Sequence, residues 1–163
     1  MMSSYRLEFS LNGNPVAVEV PPSKLLVDLL RDEFGLKGTK VGCREGECGV
    51  CTVLVDGKPI NSCLFPALKV QGLQVITIEG LAEKDLLHPL QQSFIDEGAS
   101  QCGFCTPAMI LCAKALLDQN PCPDELEVKQ GLSGVLCRCT GYRKIIKAVQ
   151  KASMTMGSSD LKK

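Results

Sequence analysis

From Tyr5 the chain alternates, with Leu7, Phe9 and Leu11 on one side and Arg6, Glu8 and Ser10 on the other, the period-two pattern of a half-buried strand. Asn12-Gly13 supplies a tight turn, and Val16, Val18 and Val20 resume the alternation, so a β-hairpin opens the chain. Pro21-Pro22 stops the second strand, Ser23 can cap a helix, and Leu25, Leu26, Leu29, Leu30 and Phe34 recur at helical spacing before Gly35. Residues 52–55 and 59–62, joined by Asp56-Gly57, predict a second hairpin, and residues 74–78 a last, largely buried strand. After Gly80 the period turns helical. Helices are expected over 86–97, over 107–119, from 123 or 124 to 132, and from 141 or 142 to 152. The pattern is that of an α+β domain over residues 1–80, a four-helix domain over 81–153, and a flexible tail over 154–163.

One stretch obeys neither period. Cys43, Cys48 and Cys51 stand four and then two residues apart among Gly42, Gly46 and Gly49, and Cys63 follows. Neither a helix nor a strand aims three such side chains at one point, so the segment reads as a loop wrapped around something. Cys-x4-Cys-x2-Cys with a distant fourth Cys is the plant-type [2Fe-2S] spacing, in which four thiolates hold two irons. Glycines let backbone N–H groups approach the negatively charged sulfurs. The second hairpin returns Cys63 to the other three. Structural zinc and paired disulfides are the competing readings, although zinc ribbons usually present two two-cysteine knuckles.

A second set follows in the helical half: Cys102 and Cys105 before one expected helix, Cys137 and Cys139 before another. Two helix N-termini would turn N–H groups and positive dipole ends toward one anionic centre. On spacing alone, zinc and iron–sulfur both remain open here. Cys112 lies on an apolar helix, where a buried free thiol is the usual outcome, and Cys122 between two prolines reads as exposed loop.

Charge narrows the function classes. Lys plus Arg and Asp plus Glu number 18 each, so no basic field advertises nucleic acid or a membrane surface. No apolar run reaches the roughly 20 residues of a membrane span. The opening residues lack the basic and apolar regions of a secretory signal, so the ten cysteines are expected to be reduced in a cytoplasmic protein, the two sets of four metal-bound. The one histidine, His88, excludes a Rieske centre, which needs two, and reads as a turn or helix-start residue before Pro89. No phosphate-binding glycine loop, dinucleotide fingerprint or nucleophile elbow occurs, so the chemistry on substrate must lie on another chain.

Three runs, Gly42 to Thr52, Gln101-Cys102-Gly103-Phe104-Cys105-Thr106-Pro107 and Cys137-Arg138-Cys139-Thr140-Gly141-Tyr142, resemble the small iron–sulfur subunit of the molybdenum hydroxylases, the xanthine dehydrogenase and aldehyde oxidoreductase family. The resemblance spans about residues 5–152. It implies a β-grasp ferredoxin-like domain whose [2Fe-2S] cluster is held by Cys43, Cys48, Cys51 and Cys63, and a helical domain whose [2Fe-2S] cluster is held by Cys102, Cys105, Cys137 and Cys139. Gln101 then matches a residue that hydrogen-bonds the pterin of a molybdopterin cofactor on a large partner subunit, and Cys139 is the ligand nearest it. Electrons would run from molybdenum through both clusters to FAD on a medium subunit, or to another acceptor, within a heteromeric oxidoreductase acting on an N-heterocycle or an aldehyde. Ala108 departs from the glycine that many relatives carry after Thr-Pro. A free-standing two-cluster ferredoxin and a zinc-stabilised interaction module are the alternatives.

Overall fold

The computed structural model describes residues 4–83 and 86–160, with side chains described as far as Met156. Strand β1 (Tyr5–Leu11) pairs antiparallel with β2 (Asn14–Val20), Tyr5 opposite Val20 and Leu11 opposite Asn14. Asn12 and Gly13 between them are both left-handed, at φ of 52° and 81°, as a twist-compatible two-residue turn requires. Strands β3 (Thr52–Val55) and β4 (Lys58–Asn61) form the second hairpin. Strand β5 (Gln74–Ile76) inserts between the hairpins, parallel to β1 and antiparallel to β3, giving the order β2-β1-β5-β3-β4.

One face of this sheet carries Leu7, Phe9, Leu11, Val53, Val55 and Val75 onto Leu26, Leu29 and Leu30. Phe9 and Phe34 meet edge to face, with ring centroids 6.0 Å apart. The expected helix over 25–34 is only partly regular: α1 (Leu26–Asp28) passes into a π-type turn over Leu29–Glu33. Leu26 N–H donates to the Phe65 carbonyl (2.8 Å) and Leu36 N–H to that of Leu30 (2.9 Å), so contacts outside a regular ladder shape both ends.

The other sheet face explains why β3 is buried along its whole length. Leu54 and Ile76 pack on Leu111 and Ala115 of α3 (Thr106–Gln119), so the sheet is covered on both sides at that point. Three further helices complete the second half: α2 (Pro89–Asp96), α4 (Glu125–Leu132) and α5 (Arg143–Asp160). His88 stands at the start of α2, its Nδ1 accepting from Leu90 N–H (3.2 Å) while Gln91 accepts from His88 N–H (3.0 Å). The helix therefore begins three residues later than periodicity suggested, at the cap. Asp124 and Glu127 form a reciprocal capping box on α4. Leu90, Phe94, Met109, Val128, Leu132, Ile145, Val149 and Ala152 fill a separate core.

Helix α5 continues past residue 152, where the pattern had suggested its end, because Ser153 is buried with its hydroxyl bonded to the Gln150 carbonyl (2.7 Å) and Met156 packs against the core. Residues 161–163 of the expected tail lie outside the described residues.

Candidate metal centres

The loop from Gly42 to Cys51 has no regular backbone and turns through left-handed residues at Arg44 (φ 59°), Gly46 (φ 80°) and Gly49 (φ 65°). Arg44 is held there by two hydrogen bonds to the Asp28 carboxylate, at 2.8 and 3.2 Å. The β3–β4 hairpin and the residue after it tie the loop in place. Asn61 Nδ2 donates to the Gly46 carbonyl (2.9 Å), Thr52 Oγ1 to that of Gly49 (2.6 Å), and Ser62 Oγ to that of Cys51 (2.6 Å). Cys63 follows directly from this anchored stretch.

Coiling the backbone inward points its N–H groups at sulfur. Glu45 N–H and Cys48 N–H donate to Cys43 Sγ (3.3 and 3.4 Å), and Cys43 N–H to Cys48 Sγ (3.5 Å). The Glu45 donor first, then that of Cys48, lowers the Cys43 thiol to about 7. Cys51 goes the other way. Burial pushes it up to about 11, with the adjoining Cys63 sulfur adding to the effect.

In the second half, Cys102 and Cys105 immediately precede α3 and Cys137 and Cys139 precede α5, as the spacing led one to expect. Cys139 Sγ lies 3.6 Å from Cys102 Sγ. Cys105 and Cys137 make the other contact; burial first, then the neighbouring Cys137, pushes the Cys105 thiol up to about 12. Burial also acts against the Cys137 thiolate, but the Thr140 hydroxyl (3.0 Å) and Thr140 N–H (3.5 Å) outweigh it, and the net shift is downward. Contact with Cys102 raises the Cys139 thiol.

The eight sulfurs thus come two by two: Cys43 with Cys48, Cys51 with Cys63, Cys102 with Cys139, and Cys105 with Cys137. All ten cysteines are free, and 3.6 Å is far beyond the roughly 2.05 Å of a disulfide. It is close to the ~3.8 Å between two ligands about 2.3 Å from one tetrahedral metal. Pairs rather than triads are what a two-iron centre takes, two thiolates to each iron. The donor set, the convergent N–H groups and the pairing all fit a [2Fe-2S] cluster at each set.

The two sets differ in access. Cys51 and Cys63 are buried, whereas Cys102, Cys139 and the adjacent Gln101 are exposed, with Phe104 (45 %) and Leu136 (58 %) standing open beside them. Burial pushes the Cys112 thiol up to about 11 against the lowering effect of the Thr52 hydroxyl, and Cys122 is exposed, so neither joins a set. A backbone bond joins the two centres: Leu136 N–H donates to the Cys48 carbonyl at 2.9 Å. The anchors Asn61, Ser62, Thr140 and Tyr142 were not singled out from sequence. Only Thr140 and Tyr142 carried a signal, by adjoining the Cys-x-Cys pair.

Comparison with known proteins bears on these sites. Residues 9–74 match the model of the 2Fe-2S iron–sulfur cluster binding domain, and residues 77–150 that of the [2Fe-2S] binding domain. The nicotinate dehydrogenase small FeS subunit of Eubacterium barkeri is 49% identical over 93% of this chain and 96% of its own length. Quinoline 2-oxidoreductase from Pseudomonas putida 86 contains a chain that superposes with a TM-score of 0.91 at 43% identity, over 95% of this chain and 97% of that one. Aldehyde oxidoreductase from Desulfovibrio desulfuricans matches with a TM-score of 0.91 at 42% identity, over 94% of this chain but only 17% of that longer one.

Proposed function

The chain belongs to the family of small [2Fe-2S] subunits of the molybdenum hydroxylases, and from this premise we propose which of its residues perform the relay and toward which partners they face. As in that family, it is the electron-transfer part of an oxidoreductase complex with a molybdenum-containing subunit. A [2Fe-2S] centre, when bound, takes up and releases a single electron.

Cys43, Cys48, Cys51 and Cys63 hold one centre in the domain over residues 1–80; Cys102, Cys105, Cys137 and Cys139 hold the other in the domain over 81–153. The observation that carries this is the sorting of eight sulfurs into four pairs, joined across the domains by the Leu136–Cys48 hydrogen bond. Amide donors hold negative charge on Cys43, and the Thr140 hydroxyl does the same for Cys137. Gln101 and Cys139, both exposed, as are Phe104 and Leu136 close to them in sequence, face the pterin of the large subunit's molybdopterin cofactor. The ferredoxin-like side faces the acceptor, an FAD-bearing third subunit. No helix among the described residues is long and apolar enough to cross a membrane. An N-heterocycle is the favoured substrate class of the complex, since relatives named for nicotinate, caffeine and nicotine are more than 40% identical and are matched over 93% or more of their own length, whereas the aldehyde oxidoreductases of like identity are far longer chains.

The test is anaerobic purification of the full-length chain with whatever it binds. About four irons and four acid-labile sulfides per chain are expected, together with a larger molybdenum-containing partner. A colourless chain carrying zinc and no iron would overturn the assignment.

A further inference from the structure

The segment Val135–Leu136–Cys137, which bridges the two centres, lies between α4 and α5 with no regular backbone of its own. The Leu136 side chain is 58 % exposed and does not anchor it. Its main chain nevertheless has an assigned partner at each key atom. Val135 N–H donates to the Leu132 carbonyl (3.1 Å) and Leu136 N–H to that of Cys48 (2.9 Å). Cys137 N–H donates to the phenol oxygen of Tyr142 (2.8 Å), and that phenol donates its own proton to the Val135 carbonyl (3.2 Å). One hydroxyl thus grips the residues on both sides of Leu136, its proton used on one and a lone pair on the other.

Tyr142 reaches this position at a conformational cost. Its φ is 65°, directly after Gly141 at 61°, and a bulky residue with positive φ persists only where its surroundings enforce it. The enforcing contact is local: Tyr142 N–H donates to Thr140 Oγ1 (3.2 Å), whose hydroxyl lies 3.0 Å from Cys137 Sγ. The ring itself packs against the helical core. The strained turn therefore aims a phenol at one place, the backbone that links the centres.

We propose that Tyr142 is the positioning residue of the inter-centre junction, its hydroxyl holding Leu136 N–H on the Cys48 carbonyl and so setting how readily an electron crosses from the helical-domain centre to the ferredoxin-like one. The crossing moves one electron, with no proton transferred and no bond made or broken. This inference rests on the ligand assignment above and adds a residue outside both ligand sets.

Tyr142→Phe in the iron-loaded full-length chain tests it. Amide exchange at Leu136 and Cys137, read by mass spectrometry on the peptide spanning residues 133–139, should quicken at least about tenfold, since the substitution removes both hydrogen bonds of the phenol. After one-electron reduction, equilibration between the two centres should slow severalfold while iron content and both spin signals stay at wild-type levels. Unchanged exchange, or faster exchange with unchanged equilibration, would overturn the proposal. Should Tyr142→Phe fail to hold iron, 3-fluorotyrosine can replace the chain's two tyrosines, of which Tyr5 lies half exposed on β1. The fluorinated phenol is a weaker acceptor, so exchange at Cys137 must still quicken, and no change there would equally overturn the role. A wild-type chain lacking two iron–sulfur signals would instead sink the ligand assignment on which it rests.

Discussion

Gly49 of the cysteine loop abuts the carbonyl oxygen of Gly134, across the boundary between the two halves, so closely that a β-carbon on Gly49 would overlap it. The same β-carbon would lie 3.0 Å from Val135 Cα, and Gly49 is left-handed, at φ 65°. The missing side chain of Gly49, set against the Gly134 backbone, lets Cys48 and Leu136 approach to hydrogen-bond distance.

Gly49→Ala should therefore both strain the loop and wedge the halves apart. Chemical denaturation should show a loss of about 2 kcal/mol, the scale of an enforced left-handed side chain. Electron equilibration between the centres should slow as well. Wild-type values for both would mean that the junction tolerates a side chain.

The ligand sets predict asymmetric damage. In Cys43→Ser the ferredoxin-like centre should be lost or altered while the helical half keeps its own, and Cys137→Ser should do the reverse. Spin resonance of the reduced chain should show two signals in the wild type and one unperturbed signal in each variant. Loss of both signals in either variant, or of neither, would contradict the assignment.

Thiol ionisation gives a pH signature in the folded, metal-free chain. Cys43, lowered to about 7 chiefly by the Glu45 N–H, should be alkylated half-maximally near that pH, and Cys112, raised to about 11 by burial, should stay inert well above it. The signs for stability are opposite. A thiol whose folded value is lowered contributes stability present above its unfolded value, lost as pH falls through about 7. The raised thiols of Cys51 and Cys112 contribute stability present below their unfolded values, lost as pH rises toward about 11. Residue-resolved alkylation against pH checks the order.

Asn61 clamps the loop from β4, donating to Gly46 (2.9 Å) and accepting from Thr52 Oγ1 (3.3 Å). Asn61→Ala should cost about 1–2 kcal/mol, because these part-buried groups lose their partner. It should broaden or shift only the ferredoxin-like signal. A matching change in the helical-domain signal would show that the clamp acts globally.

Gln101→Ala should leave both iron–sulfur signals intact. Reduction of the chain by substrate, in the complex with its molybdenum subunit, should slow. Rapid-mixing kinetics of the visible bleach would reveal it, and an unchanged rate would remove Gln101 from the partner-facing surface.

Sequence alone determined the elements whose cause is local. Alternation marked β1 and β2, Asn12-Gly13 and Asp56-Gly57 marked the hairpins and with the second of them β3 and β4, and cysteine spacing marked both sets, because turn chemistry, periodicity and ligand spacing are short-range properties. The irregular turn at Leu29–Glu33 and the start of α2 at its His88 cap escaped it, since neighbours set helix ends as much as propensity does. What only the tertiary structure decided is which thiol pairs with which, and where the halves touch. Cys102 finds Cys139 from 37 residues away, and Leu136 finds Cys48 across the domain boundary, because each approach is fixed by how the helices pack on one another and on the back of the sheet, and the second also by the bare Gly49 that lets the main chains close.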